Sequence, residues 1–393
     1  MGENNDMSLR DAVAAVASSV EKGALPGAVV LISGPNRADA QEVIGANSIA
    51  GNPMRLDTLF RIASLTKPIV SAAALRLIEA GKLQLQDPIA QTLPELASLK
   101  VLRTLGPRSD RIESAARPLT IFDLLTHTSG FAYPITAEGV SARLLGEFNT
   151  EFLPGCSEKD WLRRLAEVPL MHQPGEAYTY GFSTDVLGLI LSRTTGRSLG
   201  EYLNDALFAP LNMCDTTFLV KPENWSKLAH AYTTEPDGRL TSIPAALDCQ
   251  HALETGFESG GAGLVSTAAD VLRFARFLLA GLDTSGRPLL SEHSIKMMTS
   301  NHLTAEQRQR PAFGAADYWR EQGFGLGLSV LDRPSGNRAN SAGRYGWAGI
   351  YGTWWSNAPS HRLCAIVMTQ VMTGNAPPSH EVQFEANFDK ALS

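Results

Sequence analysis

After Lys67 the chain runs PIVSAAALRLIEAG, and from Pro68 to Leu75 it carries no charge. Val70, Ala74, Leu77 and Ile78 recur at helical spacing, and Gly81 supplies a C-terminal stop. A helix this poor in polar surface must be wrapped by other elements, because a surface helix shows a charged face. The chain therefore needs layers around a buried helix. At 393 residues it is long enough to supply them, with two subdomains as the natural expectation.

The entrance to that helix reads FRIASLTKP, residues 60 to 68. Ser64 stands three residues ahead of Lys67. On a helix such residues are neighbours on one face, about 5–6 Å apart at Cβ. Ser64 also sits at the positive end of the helix dipole, where a developing oxyanion is favoured. A serine hydroxyl is a poor nucleophile until a base adjoins it, and S-x-x-K is an acyl-serine pattern built on that pairing. Burial of a lysine favours its neutral form, which a lysine base requires. Pro68 falls in the first turn or just past it, where proline is tolerated or mildly disruptive. On these four residues alone, Ser64 as an N-cap and Lys67 as a first-turn surface lysine is the favoured reading, and the buried helix behind them shifts it.

Apolar residues at 44% and charged residues at 19% mark an ordinary globular chain rather than a disordered one. The net charge of −6, without a lysine/arginine run, argues against nucleic acid or an anionic membrane as the main partner. No apolar stretch reaches the length of a membrane helix. The start MGENNDMSLRDAV lacks the positive region and apolar core of a signal peptide. Position 6 is Asp6, where myristoylation would want Ser or Thr. A cytoplasmic location is the expectation. Cys156, Cys214, Cys249 and Cys364 are scattered without a C-x-x-C pair, so free buried thiols in a reducing compartment are expected. The histidines do not cluster and no H-E-x-x-H occurs, so neither a metal nor a cofactor is expected.

Residues 7–22 read as an amphipathic helix ending at Gly23. GAVVLISG, 27–34, reads as a strand, with 40–45 as its hairpin partner. Residues 100–118 are polar and punctuated, and LTIFDLLTHTSG reads as a helix stopped at Gly130. The loop-rich stretch 131–157, with Phe131, Tyr133, Phe148 and Phe152, suits a lid or pocket wall with a short helix at 141–147. Helices follow at 158–167, 183–195 and 198–209. GGAGLVSTAADVLRFARFLLAG is a glycine-rich turn and then a helix capped near Thr267. Residues 323–331, 349–356 and 361–371 are strand-like, and VQFEANFDKAL closes the chain as a helix. Strands thus concentrate at both ends. This predicts an α/β (α+β) sandwich of residues 1–83 and 255–393, an inserted mostly helical region at 84–254, and a site in the cleft between them.

Three further segments carry possible chemistry. GRSLG, 196–200, fits the G-x-S-x-G elbow of an α/β-hydrolase. The stretch before it has leucines at helical spacing, so Gly196 reads as a helix C-cap and Ser198 as the next N-cap. PGEAYTYGFSTDVLG, 174–188, puts Tyr178 and Tyr180 just before a helix. A loop tyrosine there usually packs; one that met the Ser–Lys pair could relay a proton. GRYGWAGIYGT, 343–353, is dense enough in glycine to let backbone approach a ligand and offer oxyanion donors. Taken alone it reads rather as a bulged, twisted strand with aromatic cover.

Taken together and in this order, FRIASLTKP, LLTHTSG (124–130), PGEAYTYGFSTDVLG, SGGAGLVSTAADVLRF (from Ser259) and GWAGIYG resemble the serine β-lactamase-like superfamily. They look most like family VIII carboxylesterases and the fungal statin-side-chain acyltransferases, relatives of class C β-lactamases. The resemblance spans about residues 25–370. It implies a β-lactamase/transpeptidase-like antiparallel sheet flanked by helices. It further implies Ser64 as acyl nucleophile and Lys67 with Tyr180 as the base network. Which of the two is the primary base stays open. The backbone N–H groups of Ser64 and Ile350 would form the oxyanion hole.

Two departures are visible. The tyrosine is followed by Gly181 and Phe182, where β-lactamases have x-Asn. Trp347-Ala348-Gly349 stands in the place of K-T-G, so the lysine that helps bind a β-lactam carboxylate is absent. Both changes point toward neutral esters, and the expected substrate is a small-molecule ester with a short acyl group. Its alcohol or aryl part would lodge among Phe131, Phe182, Trp347, Ala348, Gly349, Tyr351, Trp354 or Trp319 and the 131–157 segment. Acyl transfer to an alcohol, β-lactamase or D-peptidase-like hydrolysis, a silent binding module, and an α/β-hydrolase using Ser198 are the alternatives. The oligomeric state is open.

Overall fold

GAVVLIS and LCAIVM are apolar without alternation, and such strands need cover on both faces. The computed structural model describes residues 3–35, 40–104, 110–147, 157–243, 257–308, 318–372 and 378–392. Its chain opens with helix α1 (Glu3–Glu21), strand β1 (Gly27–Ser33) and strand β2 (Ala40–Gly45). The buried helix is α2 (Thr66–Glu79), followed by the short α3 (Ile121–Leu125), α4 (Ser183–Thr195) and α5 (Ala268–Ala280). The later strands are β3 (Gln322–Phe324), β4 (Ser329–Leu331), β5 (Tyr345–Gly349), β6 (Thr353–Ala358) and β7 (Leu363–Met368), before the closing helix α6 (Ser379–Ala391). These strands form one seven-stranded sheet in the order β2-β1-β7-β6-β5-β4-β3, antiparallel throughout.

The pleat sends alternate residues to two cores. On one face Ala28, Val30, Ile32, Ala365 and Val367 meet Leu9, Ala12 and Val16 of α1 and Phe384 and Phe388 of α6. On the other face Val29, Leu31, Trp355, Ile366 and Met368 join the larger core with α5 and α2. Every residue of α2 from Thr66 to Leu75, and Leu77, is buried. Gly81, at φ +68, ends the segment as expected. The chain's ends thus build the sheet and two of its covering helices, and the sequence pattern from both termini is met.

Some boundaries differ from the sequence pattern. Residues 100–118 hold a hairpin, Lys100–Thr104 with Asp110–Ser114, whose charged alternation hides a strand with Val101 and Leu102 buried. A second hairpin pairs Tyr232–Thr234 with Leu240–Ser242, and Tyr232 packs into the outer core of the sheet. LLTHTSG is not helical to its end, because α3 stops at Leu125 and His127 turns the chain at φ +55. The strand-like runs 323–331 and 349–356 each divide at a turn, the second at Gly352 with φ +75. Phe148, Phe152, Cys156, Cys249 and the 254/255 boundary lie outside the described residues.

GRSLG is a helix link. Gly196 is the left-handed C-cap of α4, and Ser198 Oγ accepts from Glu201 N while Glu201 answers the Ser198 N–H. Ser198→Ala should therefore lower stability by about 1 kcal/mol through loss of this cap. Urea unfolding of the purified variant measures it; an unchanged midpoint and slope would refute the capping role.

Candidate active site

The turn that carries Ser64 is held from three sides. Phe60–Arg61 pairs with Val265–Ser266, and the next amide, Ile62 N–H, donates to Leu264 O at 3.0 Å. Ile62 O accepts from Thr353 Oγ1 at 3.2 Å. Gly349 approaches the same carbonyl so closely that a Cβ there would lie 2.5 Å from it. Ala63 then takes φ +44, a left-handed conformation that costs a residue with a side chain about 1–3 kcal/mol and needs such support. Ala63–Leu65 form a single 3₁₀ turn leading into α2. Ser64 consequently lies just outside the α-helix, not on its first turn. It makes no capping bond there, and its hydroxyl is turned to other partners.

Those partners are Lys67 and Tyr180. Lys67 Nζ lies 3.2 Å from Ser64 Oγ, and Tyr180 OH donates to Ser64 Oγ at 2.6 Å. Lys67 has no solvent exposure. Its Nζ also reaches Tyr133 OH at 3.0 Å and Gly261 O at 2.8 Å, and lies 4.6 Å from the centre of the Tyr180 ring. Trp347 Nε1 donates to Tyr180 OH at 3.3 Å. An indole N–H thus stands where a K-T-G segment would have its lysine. Tyr178 is turned away, against Trp319 and Phe324.

Two further groups complete the polar core. Tyr133 OH faces Asp185 Oδ2 at 3.4 Å, and Asp185 Oδ1 accepts from Ser259 Oγ at 2.5 Å and Gly261 N at 3.0 Å. Burial raises the pKa of Asp185, opposed by the Lys67 charge and these donors. Burial, and then the Asp185 charge, hold the Tyr133 phenol well above its ordinary pKa. The sequence pattern listed Tyr133 only among scattered aromatics. The available signal was Asp185, a lone acid in the apolar stretch FSTDVLG.

His127 forms the wall behind Tyr180. Its ring stacks on the tyrosine with centroids 5.3 Å apart and planes 24° from parallel. Nδ1 accepts from Gly181 N at 3.4 Å, so Nε2 carries the proton and meets Thr184 Oγ1 at 3.2 Å. Burial, then the Lys67 charge, push its pKa down to about 3, and the ring is neutral at working pH. Tyr133, Tyr180, Trp347 and Phe324 add further edge-on and tilted ring contacts.

The other expected site residues divide. Trp347 faces the site. Ala348, one residue on, faces the opposite side of the sheet, where it pairs with Trp354 against α6. Trp354 itself meets Phe384 and Phe388. Neither side chain can line a pocket at Ser64, because the pleat points them away. Phe182 is 3% exposed and packs on Tyr133 and Trp161. Phe131 is 2% exposed. Both lie beneath the site rather than along an open wall. Ile350 and Tyr351, in the turn after β5, pack beside Ala63. Among the described residues no group of three or more His, Cys, Asp or Glu is placed to hold a metal. No helix there is long and apolar enough to cross a membrane.

A sequence model described as Beta-lactamase matches residues 12–388. The chain belongs to the beta-lactamase family. An uncharacterized protein of Mycobacterium tuberculosis is 38% identical over 370 residues, covering 93% of this chain and 90% of its own length. Esterase EstB of Burkholderia gladioli is 32% identical over 339 residues, covering 82% of this chain and 80% of EstB. Among solved structures, EstCE1, described as a hydrolase with promiscuous acyltransferase activity, superposes with a TM-score of 0.77 at 26% identity, over 98% of this chain and 99% of its own. The beta-lactamase fold, with its antiparallel sheet and flanking helices, is thus shared across the length of the chain. Esterases and acyltransferases stand among its relatives.

The neutral His127 leaves a signature in acid. Its folded pKa is about 3 against about 6.5 when unfolded. Between these values the unfolded chain binds a proton that the native chain refuses, so stability falls as pH drops through that window and is whole above it. The slope from this one group is up to about 1.4 kcal/mol per pH unit. His127→Asn, which suits the positive φ, should flatten the dependence of urea stability between pH 4.5 and 6.0 by that amount. Parallel pH dependences for variant and wild type would show that the imidazole is not held neutral.

Proposed function

We propose that the chain is a serine carboxylesterase that cleaves short-chain or aryl esters through an acyl-enzyme on Ser64. The observation that carries this is the placement of Ser64 Oγ between Lys67 Nζ at 3.2 Å and Tyr180 OH at 2.6 Å. Ser64 Oγ attacks the ester carbonyl as its proton passes to the base network. The backbone N–H groups of Ser64 and Ile350 receive the oxyanion. The C–O bond to the alcohol then breaks, and Tyr180 hands that oxygen a proton. Water adds to the acyl-Ser64, the carboxylic acid leaves, and the serine regains its proton. The pieces come from both parts of the chain. Ser64, Lys67, Gly261 and Trp347 belong to the segments that build the sheet region, Tyr133 and Tyr180 to residues 84–254. This dual origin supports a catalytic cleft between the two.

Ester preference rests on what surrounds Tyr180. Trp347 offers an indole N–H and an apolar ring in place of an ammonium, and Gly181 and Phe182 bring no side-chain amide. A site without donors for a carboxylate cannot recover that binding from apolar contacts. Acyl transfer to an alcohol uses the same intermediate, and the likeness to EstCE1 favours it as a second activity. Alcohol added to the assay would then divert product from acid to ester.

The test is steady-state kinetics on p-nitrophenyl acetate and on a penicillin with a free carboxylate. The ester should be turned over with kcat/KM higher by about 10²-fold or more, the scale of an unmet polar contact. Equal kcat/KM on the two substrates would contradict the role assigned to Trp347 and to the missing Asn.

A further inference from the structure

Asp185 is a carboxylate only 3% exposed, and no step of the ester mechanism above uses it. It nevertheless holds two of the three polar neighbours of the Lys67 amine. Its Oδ1 takes the N–H of Gly261 at 3.0 Å, and the carbonyl of that same glycine lies 2.8 Å from Lys67 Nζ. Its Oδ2 faces Tyr133 OH at 3.4 Å, and that phenol oxygen lies 3.0 Å from Lys67 Nζ. The third neighbour is Ser64 Oγ at 3.2 Å.

To take the serine proton Lys67 has to be the neutral amine, with two N–H bonds and one lone pair, and its partners decide where each goes. Gly261 O can only accept, so it takes one N–H. Tyr133 has a single proton, and with that proton on Asp185 its oxygen accepts the second N–H. The lone pair is then left facing Ser64 Oγ. The opposite end of the chain agrees. Trp347 Nε1 can only donate, so Tyr180 accepts from it and spends its own proton on Ser64 Oγ. The serine proton is then directed at Lys67.

We propose that Asp185 is a positioning residue which, through the hydroxyl of Tyr133, turns the Lys67 lone pair toward Ser64. This rests on Ser64 and Lys67 acting as nucleophile and base. Asp185→Asn is nearly isosteric and keeps an oxygen for Ser259 and Gly261. Its amide would donate to Tyr133 and turn the phenol proton onto the Lys67 lone pair, in competition with Ser64.

The readout is the rate of Ser64 labelling by a fluorophosphonate, followed by mass spectrometry. In that reaction the Oγ–H proton passes to Lys67, an Oγ–P bond forms, and the P–F bond breaks to release fluoride. Asp185→Asn should slow labelling by about 10²-fold, the scale of a misdirected base. In a Tyr133→Phe background the same substitution should change the rate by less than about threefold, because its route to Lys67 is already gone. A fall by the same factor in both backgrounds would mean that Asp185 acts by tethering the Gly261 loop, and would overturn the proposal. So would wild-type labelling by a folded Asp185→Asn chain.

If circular dichroism shows that Asp185→Asn does not fold, Tyr133→Phe alone decides. It should label at least about tenfold more slowly with its melting temperature kept, and a wild-type rate would overturn the proposal. Ester turnover measured alongside separates this from the esterase assignment. A chain that labels at Ser64 in the expected pattern but hydrolyses no ester refutes that assignment while supporting this one. A wild-type chain unlabelled at Ser64 refutes the nucleophile and this proposal with it.

Discussion

The Lys67 amine has no contact with solvent, and its three polar neighbours come from three separate segments of chain. Burying such a group without partners costs several kcal/mol. Each segment is therefore tied to the others through one nitrogen. The turn at Ser64, the strap that brings in Tyr133 and the glycine-rich loop at Gly261 have to be placed together. An apolar helix such as α2, closed off on every side, is what puts the nitrogen there. Its lack of surface is the structural condition for a buried amine beside a partly exposed hydroxyl.

The sheet supplies the rigidity that this placement needs. Strand β5 lies against Ile62 O only because Gly349 has no side chain, and that contact pins the strained Ala63. His127 is another position with positive φ, at +55, and its carbonyl accepts from Thr179 N at 2.9 Å. Ala63 directly precedes Ser64, and His127 stacks on Tyr180, which bonds to Ser64 Oγ. The rings of His127, Tyr133, Trp347 and Phe324 pack in one cluster with Tyr180. Hydrogen bonds inside such a low-dielectric box are stronger than in water, and unpaired groups are more costly.

Much of this was legible in the chain. The spacing of Ser64 and Lys67 became informative only beside the apolar periodicity of α2, which marks the helix as buried. Ser198 could be set aside because its neighbours obey helix-capping rules. Tyr180 needed the family resemblance, because nothing local distinguishes it from Tyr178. Their separate fates follow from a turn geometry that no pattern encodes. Tyr133 and Asp185 were not legible as partners, for their meeting depends on how α4 packs beneath the loop at Gly261. Ala348 and Trp354 were misplaced because strand register decides facing, and the pattern put the strand at 349–356 rather than dividing it at Gly352. The hairpin at 100–114 was missed because its outward residues are charged.

The proposed esterase mechanism requires that an acyl group reside on Ser64 during turnover. Acid quenching of the chain with a p-nitrophenyl ester in the first moments of reaction, followed by peptide mass spectrometry, tests it most directly. The account predicts a mass increase equal to the acyl group on Ser64 and on no other serine. An adduct on Ser198, or product release with no covalent adduct at any time, would contradict it.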